Sequence, residues 1–262
     1  AEYAGNLFKS KFLVIWQGIV AGNFGNFAAN MTIMVPFYIV GIFVFCVVYT
    51  FYCLYRAGFW SKKFLAILCA WLSVHLLLSY KGFYLDTYSI PPRFLLLIVP
   101  PLISIILLFA IKTFRKKIVL LDIKWLVALS IVRIPVEMVL YFLMKENLVP
   151  QVITFEGRNW DLLSGITAIP LTYCFFKKGT RSKKWILVWN IVAVALLFNV
   201  VIHAVLSAPT PFQQISFSRP NIGVFYFPFV LLPGFIVPSV LFSHVWIYFK
   251  YQVRAKSEDD YG

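Results

Sequence analysis

Apolar residues run along this chain in long blocks, and the breaks between blocks are short and often basic. A bilayer core of about 30 Å takes about 20 mostly apolar residues at 1.5 Å each. Seven blocks meet or approach that length, at 33–55, 64–80, 94–111, 123–144, 160–176, 185–207 and 224–249. Lipid offers no partner to a free backbone N–H or C=O, so each block is predicted to be a helix. The fold class expected is therefore all-α, a polytopic transmembrane bundle of seven spans. Residues 12–29 are also apolar, but Gln17, Gly18, Gly22, Asn23, Gly25 and Asn26 interrupt them. They read as a surface or re-entrant segment, with an eighth span as the alternative. The organisation predicted is an extracytoplasmic or re-entrant segment over 1–32, a transmembrane domain over 33–255 and a disordered cytoplasmic tail over 256–262.

Composition sharpens this picture. The 262 residues are 61% hydrophobic and 13% charged, against about 25% charged in soluble domains. A net charge of +14 would by itself point to nucleic acid, but the basic residues gather between the apolar blocks. The partner expected is the lipid bilayer, and nucleic acid is excluded. One alternating set of connections contains Arg56, Lys62, Lys63, Lys112, Arg115, Lys116, Lys117 and Lys124, then Lys177, Lys178, Arg181, Lys183, Lys184, Lys250, Arg254 and Lys256. The other set holds only Lys9, Lys11, Lys81, Arg93, Lys145, Arg158 and Arg219. By the positive-inside rule the first span starts outside and the C-terminus is cytoplasmic. No secretory signal pattern opens the sequence, so none is expected. Cys46, Cys53, Cys69 and Cys174 all lie within apolar blocks without a C-x-x-C pair, as buried small hydrophobes do.

Candidate chemistry lies where polar residues enter the blocks. Arg133 and Glu137 sit four residues apart in the fourth block, so they share a helix face and are expected to pair. Pro135 between them predicts a kink. A lone charge there costs about 2.5–3.5 kcal/mol on insertion scales, so such residues mark either a satisfied pair or a ligand, proton or substrate site. His75, His203 and His244 all fall within blocks. The predicted orientation puts His75, Glu137 and His203 at similar depth, with His244 too deep to join them. Two His and a carboxylate can hold zinc or iron with open positions, although no H-x-x-x-H or H-E-x-x-H motif is present. Each His equally reads as an interhelical hydrogen bond. Asn199 and His203 are one turn apart on a shared face, and Asn190 lies roughly opposite Asn199. Pro100, Pro101, Pro170, Pro228, Pro233 and Pro238 predict further kinks and an internal cavity. On the outer side Asp86, Arg93, Glu156, Arg158, Asp161 and Arg219 form either a charged mouth or part of a solvated interfacial belt.

The stretches 154–161, T-F-E-G-R-N-W-D, and 211–244, which contains F-Y-F-P-F-V-L-L-P-G-F, resemble a family of bacterial polytopic inner-membrane proteins. The resemblance covers about the last two-thirds of the chain and implies an inner-membrane helix bundle, with no activity or site attached. Better-known seven-span types do not fit. The last block has no Lys for a retinal Schiff base and one His where adiponectin-like receptors pair two. No span carries the G-x-S-x-G-like turn of a serine protease.

The function expected is a non-enzymatic receptor, carrier or complex subunit, with a pocket open to the outer face for a small or lipid-like ligand. His75, Arg133, Glu137, Asn199 and His203 would line it, below Arg158 and Asp161. Arg133 would clamp an anionic group, Glu137 would orient it, and the His and Asn side chains would donate hydrogen bonds. The alternatives are a metal-dependent enzyme acting on lipid-like substrates, with His75, Glu137 and His203 holding Zn or Fe, or a structural subunit within a membrane complex.

Overall fold

The computed structural model describes residues 35–58, 61–87, 89–178 and 183–259. The expected N-terminal segment and the question of an eighth span lie outside the described residues. The described chain is helical, with no strand among these residues. The long elements are α1 (Phe37–Ala57), α2 (Lys62–Tyr80), α3 (Leu95–Ala110), α7 (Asp161–Lys178), α8 (Lys183–Leu206) and α9 (Val237–Asp259). Between α3 and α7 come the shorter helices α4 (Lys112–Ile118), α5 (Ile123–Leu129) and α6 (Arg133–Lys145).

Five stretches are long and apolar enough to cross a membrane: Phe37–Ala57, Lys62–Tyr80, Ile123–Lys145, Trp185–Leu206 and Leu232–Tyr251. A sixth is obtained if α3 and α4 count as one span, although they meet at 91°. The helix α7 does not pass the same test of length and hydropathy. The last span starts at Leu232, later than the expected 224, because 3-10 turn and coil occupy the preceding residues. Its helix runs through Asp259, past the expected boundary at 255.

Proline explains where these helices depart from regularity. Pro135 has no N–H for the carbonyl of Ile131, and the span breaks there into a 3-10 turn over Ser130–Val132 between α5 and α6. The α-helical ladder is thus interrupted one turn before the proline. Pro238 likewise leaves the carbonyl of Gly234 without its α-helical donor. The chain widens to a π-turn over Leu232–Ile236, and Trp71 Nε1 donates to Gly234 O at 2.9 Å. Pro100 and Pro101 lie inside α3, where Ser104 Oγ donates to Pro100 O at 2.8 Å.

The broken span α5–α6 forms the centre of the bundle. It packs against α1 and α7, while α9 lies against α5, α8 and α3. Burial follows this arrangement: 67% of the central span window is inside, against 11% for the peripheral α2. The outer surface is apolar, with Phe37, Ile67 and Ile106 largely exposed. Water would penalise such a surface, whereas lipid tails match it. Close packing of α7 on the central span requires Gly165, because a Cβ there would lie 2.8 Å from Ile134 Cγ1 and 3.2 Å from Ile134 N. Gly165→Ala should therefore cost about 1–3 kcal/mol through overpacking. Thermal unfolding of the purified protein in detergent checks this, and an unchanged midpoint would contradict the close approach.

Candidate functional site

A buried polar cluster lies where α6, α7, α8 and α9 meet. Arg133, Glu137, Asn159, Asp161, Ser164, Asn190 and His244 are each at most 5% exposed. Arg133 is the hub. One terminal nitrogen, Nη1, donates to Asp161 Oδ1 at 2.7 Å and to the carbonyl of Ala193 at 3.1 Å. The other, Nη2, donates to His244 Nε2 at 2.7 Å.

These bonds fix the state of His244. A guanidinium only donates, so Nε2 must accept and the proton must sit on Nδ1. Nδ1 meets Asn190 Oδ1 at 2.7 Å, and Asn190 Nδ2 donates back to His244 O at 3.1 Å. His244 is thus neutral and locks α8 to α9. The charge of Arg133 is matched by Asp161, the first residue of α7. Asn159 shapes that helix start: its Oδ1 accepts from Asp161 N at 3.0 Å, while its Nδ2 donates to Glu137 Oε1 and to Ile153 O. A tight turn brings Asn159 into place. A Cβ on Gly157 would lie 2.2 Å from Gln151 O, so only glycine fits there.

One expectation is corrected. Arg133 forms its ion pair with Asp161 across helices, not with Glu137 along its own helix. His244, which the sequence separates by depth from His75, Glu137 and His203, is a direct partner of Arg133.

The expected metal set does not assemble either. Among the described residues no three His, Cys, Asp or Glu side chains are grouped to hold a metal ion. His75, Glu137 and His203 each face a different partner. His75 is buried in α2 beside Trp71, and its Nδ1 bonds the hydroxyl of Tyr84. Burial raises the pKa of that phenol, which therefore meets His75 as a hydroxyl. His203 Nδ1 donates to the carbonyl of Asn199 at 2.8 Å, and Asn199 Nδ2 donates to Arg158 O at 2.8 Å.

Beside the polar cluster lies a cavity of about 180 Å³ bounded by α3, α6, α8, α9 and the residues leading into α9. Its wall is almost wholly apolar, with Leu97, Val136, Leu197, Val201, Ile236 and Val240 among the contributors. The polar exceptions are Arg133, Glu137, Asp161 and Asn221. Two of them present acceptors that make no hydrogen bond, Glu137 Oε2 and Asn221 Oδ1, although both side chains are fully buried. Arg133 Nε is the third polar atom of this group without a partner.

Of the residues expected to line a pocket, Arg133, Glu137 and Asp161 do so, whereas His75, Asn199, His203 and Arg158 stand apart from it. The expected charged mouth is divided between local pairs: Arg93 with Asp86 at 2.6 Å, and Lys145 with Glu156 at 3.7 Å. Asn159, Asn190, His244 and Asn221 are the partners that sequence reasoning did not assign to the site. Asn159 carried one usable signal, a short polar residue just before an apolar helix, where side chains satisfy free N–H groups.

Comparison with protein-family models, with curated proteins and with solved structures found no match to this chain. Its chemistry is therefore argued from its own residues. Arg133→Met should destabilise the fold by about 3–5 kcal/mol, because it leaves a buried Asp161 charge unpaired. Glu137→Gln keeps an acceptor for Asn159 and should cost within about 1 kcal/mol. Thermal unfolding of both variants tests this. Equal losses would show that Glu137, too, is a member of the structural network.

Proposed function

We propose that this chain is an integral membrane protein of seven spans that binds a lipid-like amphiphile in the cavity beside Glu137. It would act as a receptor, carrier or complex subunit without covalent chemistry. The observation that carries this reading is the buried carboxyl of Glu137, a lining residue of an almost wholly apolar cavity, whose Oε2 makes no hydrogen bond. An empty apolar cavity of this kind is stable without a ligand, since engineered ones of about 150 Å³ stay dry and take up benzene. A buried polar atom without a partner costs about 1–3 kcal/mol, and a ligand with a polar end relieves that cost.

The geometry also favours access from the lipid. Helices α3 and α8 both flank α9 and both line the cavity, yet they barely touch each other among the described residues. The cavity wall takes Ile98 and Leu102 from α3 and Phe198 and Val201 from α8, and Phe198 is itself half exposed. On this reading an amphiphile in the bilayer enters between α3 and α8 without crossing a polar surface.

Seven spans follow if α7 is counted with the five long helices and α3 with α4 forms one span. In that reading α4 is an interfacial helix: its Lys112, Lys116 and Lys117 are exposed beside exposed Phe114. Such a composition suits the headgroup layer of an anionic leaflet. Orientation rests on the basic bias, with the N-terminal side outside and the C-terminus cytoplasmic. The resemblance of 154–161 and 211–244 supports a bacterial inner membrane.

Two experiments test this reading. With the four native cysteines replaced by Ala, an impermeant maleimide should label Glu146→Cys in intact cells and Lys117→Cys only after permeabilisation; the reverse overturns the orientation. For the cavity, Val201→Trp should abolish saturable binding of a fluorescent C8 amphiphile to protein in nanodiscs. Undiminished binding would place the site elsewhere.

A further inference from the structure

The polar end of the amphiphile can be specified from the charges already in the site, given the reading of the cavity as an amphiphile site. Arg133 carries one positive charge, and both terminal nitrogens are engaged by Asp161, Ala193 O and His244. It has no free fork for a carboxylate or phosphate, which recognition of such groups by Arg requires. Asp161 balances it, and the bonding pattern leaves His244 neutral. Glu137 is the carboxyl of this site that no cation bonds directly: Oε1 accepts from the Asn159 amide and Oε2 makes no hydrogen bond.

A second unbonded oxygen points the same way. Asn221 Nδ2 donates to Ala204 O at 3.1 Å, and its Oδ1 makes no hydrogen bond. Of the three unbonded polar atoms of these lining residues, the two oxygens are acceptors, while the third, Arg133 Nε, belongs to a guanidinium whose charge Asp161 already balances. An anionic headgroup would meet a carboxylate and an amide oxygen, whereas a donor would satisfy them.

We propose that the ligand is a cationic amphiphile whose ammonium group donates to Glu137 Oε2, with its chain lying along the apolar wall. Size limits how much of it is enclosed. About 180 Å³ is little more than a benzene-sized space, so the head and the first few methylenes fit inside. The remaining chain leaves between α3 and α8 into lipid, so a single-chain amine is the natural class. The expectation that Arg133 clamps an anionic group is replaced by this assignment.

The test compares three probes of one chain length, radiolabelled n-octylammonium, n-octanol and n-octyl sulfate, on protein in uncharged phosphatidylcholine nanodiscs with empty nanodiscs subtracted. Octylammonium should bind at least tenfold more tightly than octanol, and octyl sulfate should not saturate. Glu137→Gln should reduce octylammonium to the level of octanol, with a thermal midpoint near that of wild type. Should that variant not fold, the three-probe series on wild type decides alone. Equal binding of octylammonium and octanol overturns the cationic assignment and leaves the amphiphile reading intact. Preference for octyl sulfate also overturns it. If no probe saturates, or if Val201→Trp binds all three as wild type does, the amphiphile reading itself fails.

Discussion

A buried guanidinium constrains everything around it. Arginine cannot shed its proton, so Arg133 must find acceptors for its donors inside an apolar bundle. It finds them on three other helices: a carboxylate that starts α7, a backbone carbonyl of α8 and an imidazole of α9. In a membrane no hydrophobic force holds helices together, so hydrogen bonds and close packing decide which helices meet. Arg133 supplies the first, and Gly165, which lets α7 approach the start of α6, supplies the second. The bundle is arranged around this residue because moving any of the three helices would leave a charge or a donor stranded.

The breaks in the helices follow from the same requirement. A continuous helix through 130–132 would change the phase of Arg133 and Glu137 relative to the preceding turns. Pro135 breaks the ladder one turn below its own position, so α6 begins at Arg133 itself. In α9 the π-turn around Pro233 and Gly234 opens a carbonyl that Trp71 caps. That bond ties the otherwise peripheral α2 to the centre. The same π-turn contributes Leu232, Pro233 and Ile236 to the cavity wall. Irregular backbone at this depth is tolerated where it is enclosed by protein or lines a cavity.

Much of this was legible in the sequence, and the illegible part has a physical cause. Apolar blocks and their basic connections located the long helices, since hydropathy over a span is a sum that needs no tertiary information. Arg133, Glu137 and Asp161 could be singled out because charge within or beside an apolar block is costly. Their partners could not. The i, i+4 rule favoured Glu137 for Arg133, yet a helix surface pair is worth only about 0.2–0.5 kcal/mol, and the tertiary arrangement offers Asp161, the Ala193 carbonyl and His244 instead. Depth along a span separated His244 from His75, Glu137 and His203 and gave no sign of its bond to Arg133. The grouping of His75 with His203 required knowledge of which helices adjoin. Here α2 is peripheral, and each His is taken by its nearest neighbour.

The contrast between satisfied and unsatisfied atoms is the most informative property of the interior. A polar network built only for stability gains by closing every bond, as Arg133, Asp161, His244 and Asn190 nearly do. Glu137 departs from that pattern on one side only: Oε1 is fixed by Asn159, and Oε2 is left without a partner in a residue that lines the cavity. Fixing one oxygen removes the rotational freedom of the carboxyl, so the other is held in one direction before any ligand arrives. Pre-organisation of this sort lowers the entropy lost on binding. It also explains why the carboxyl is supported by a loop residue, Asn159, held in turn by the start of α7: the wall of the cavity and the ion pair at the centre of the bundle are braced by the same short segment.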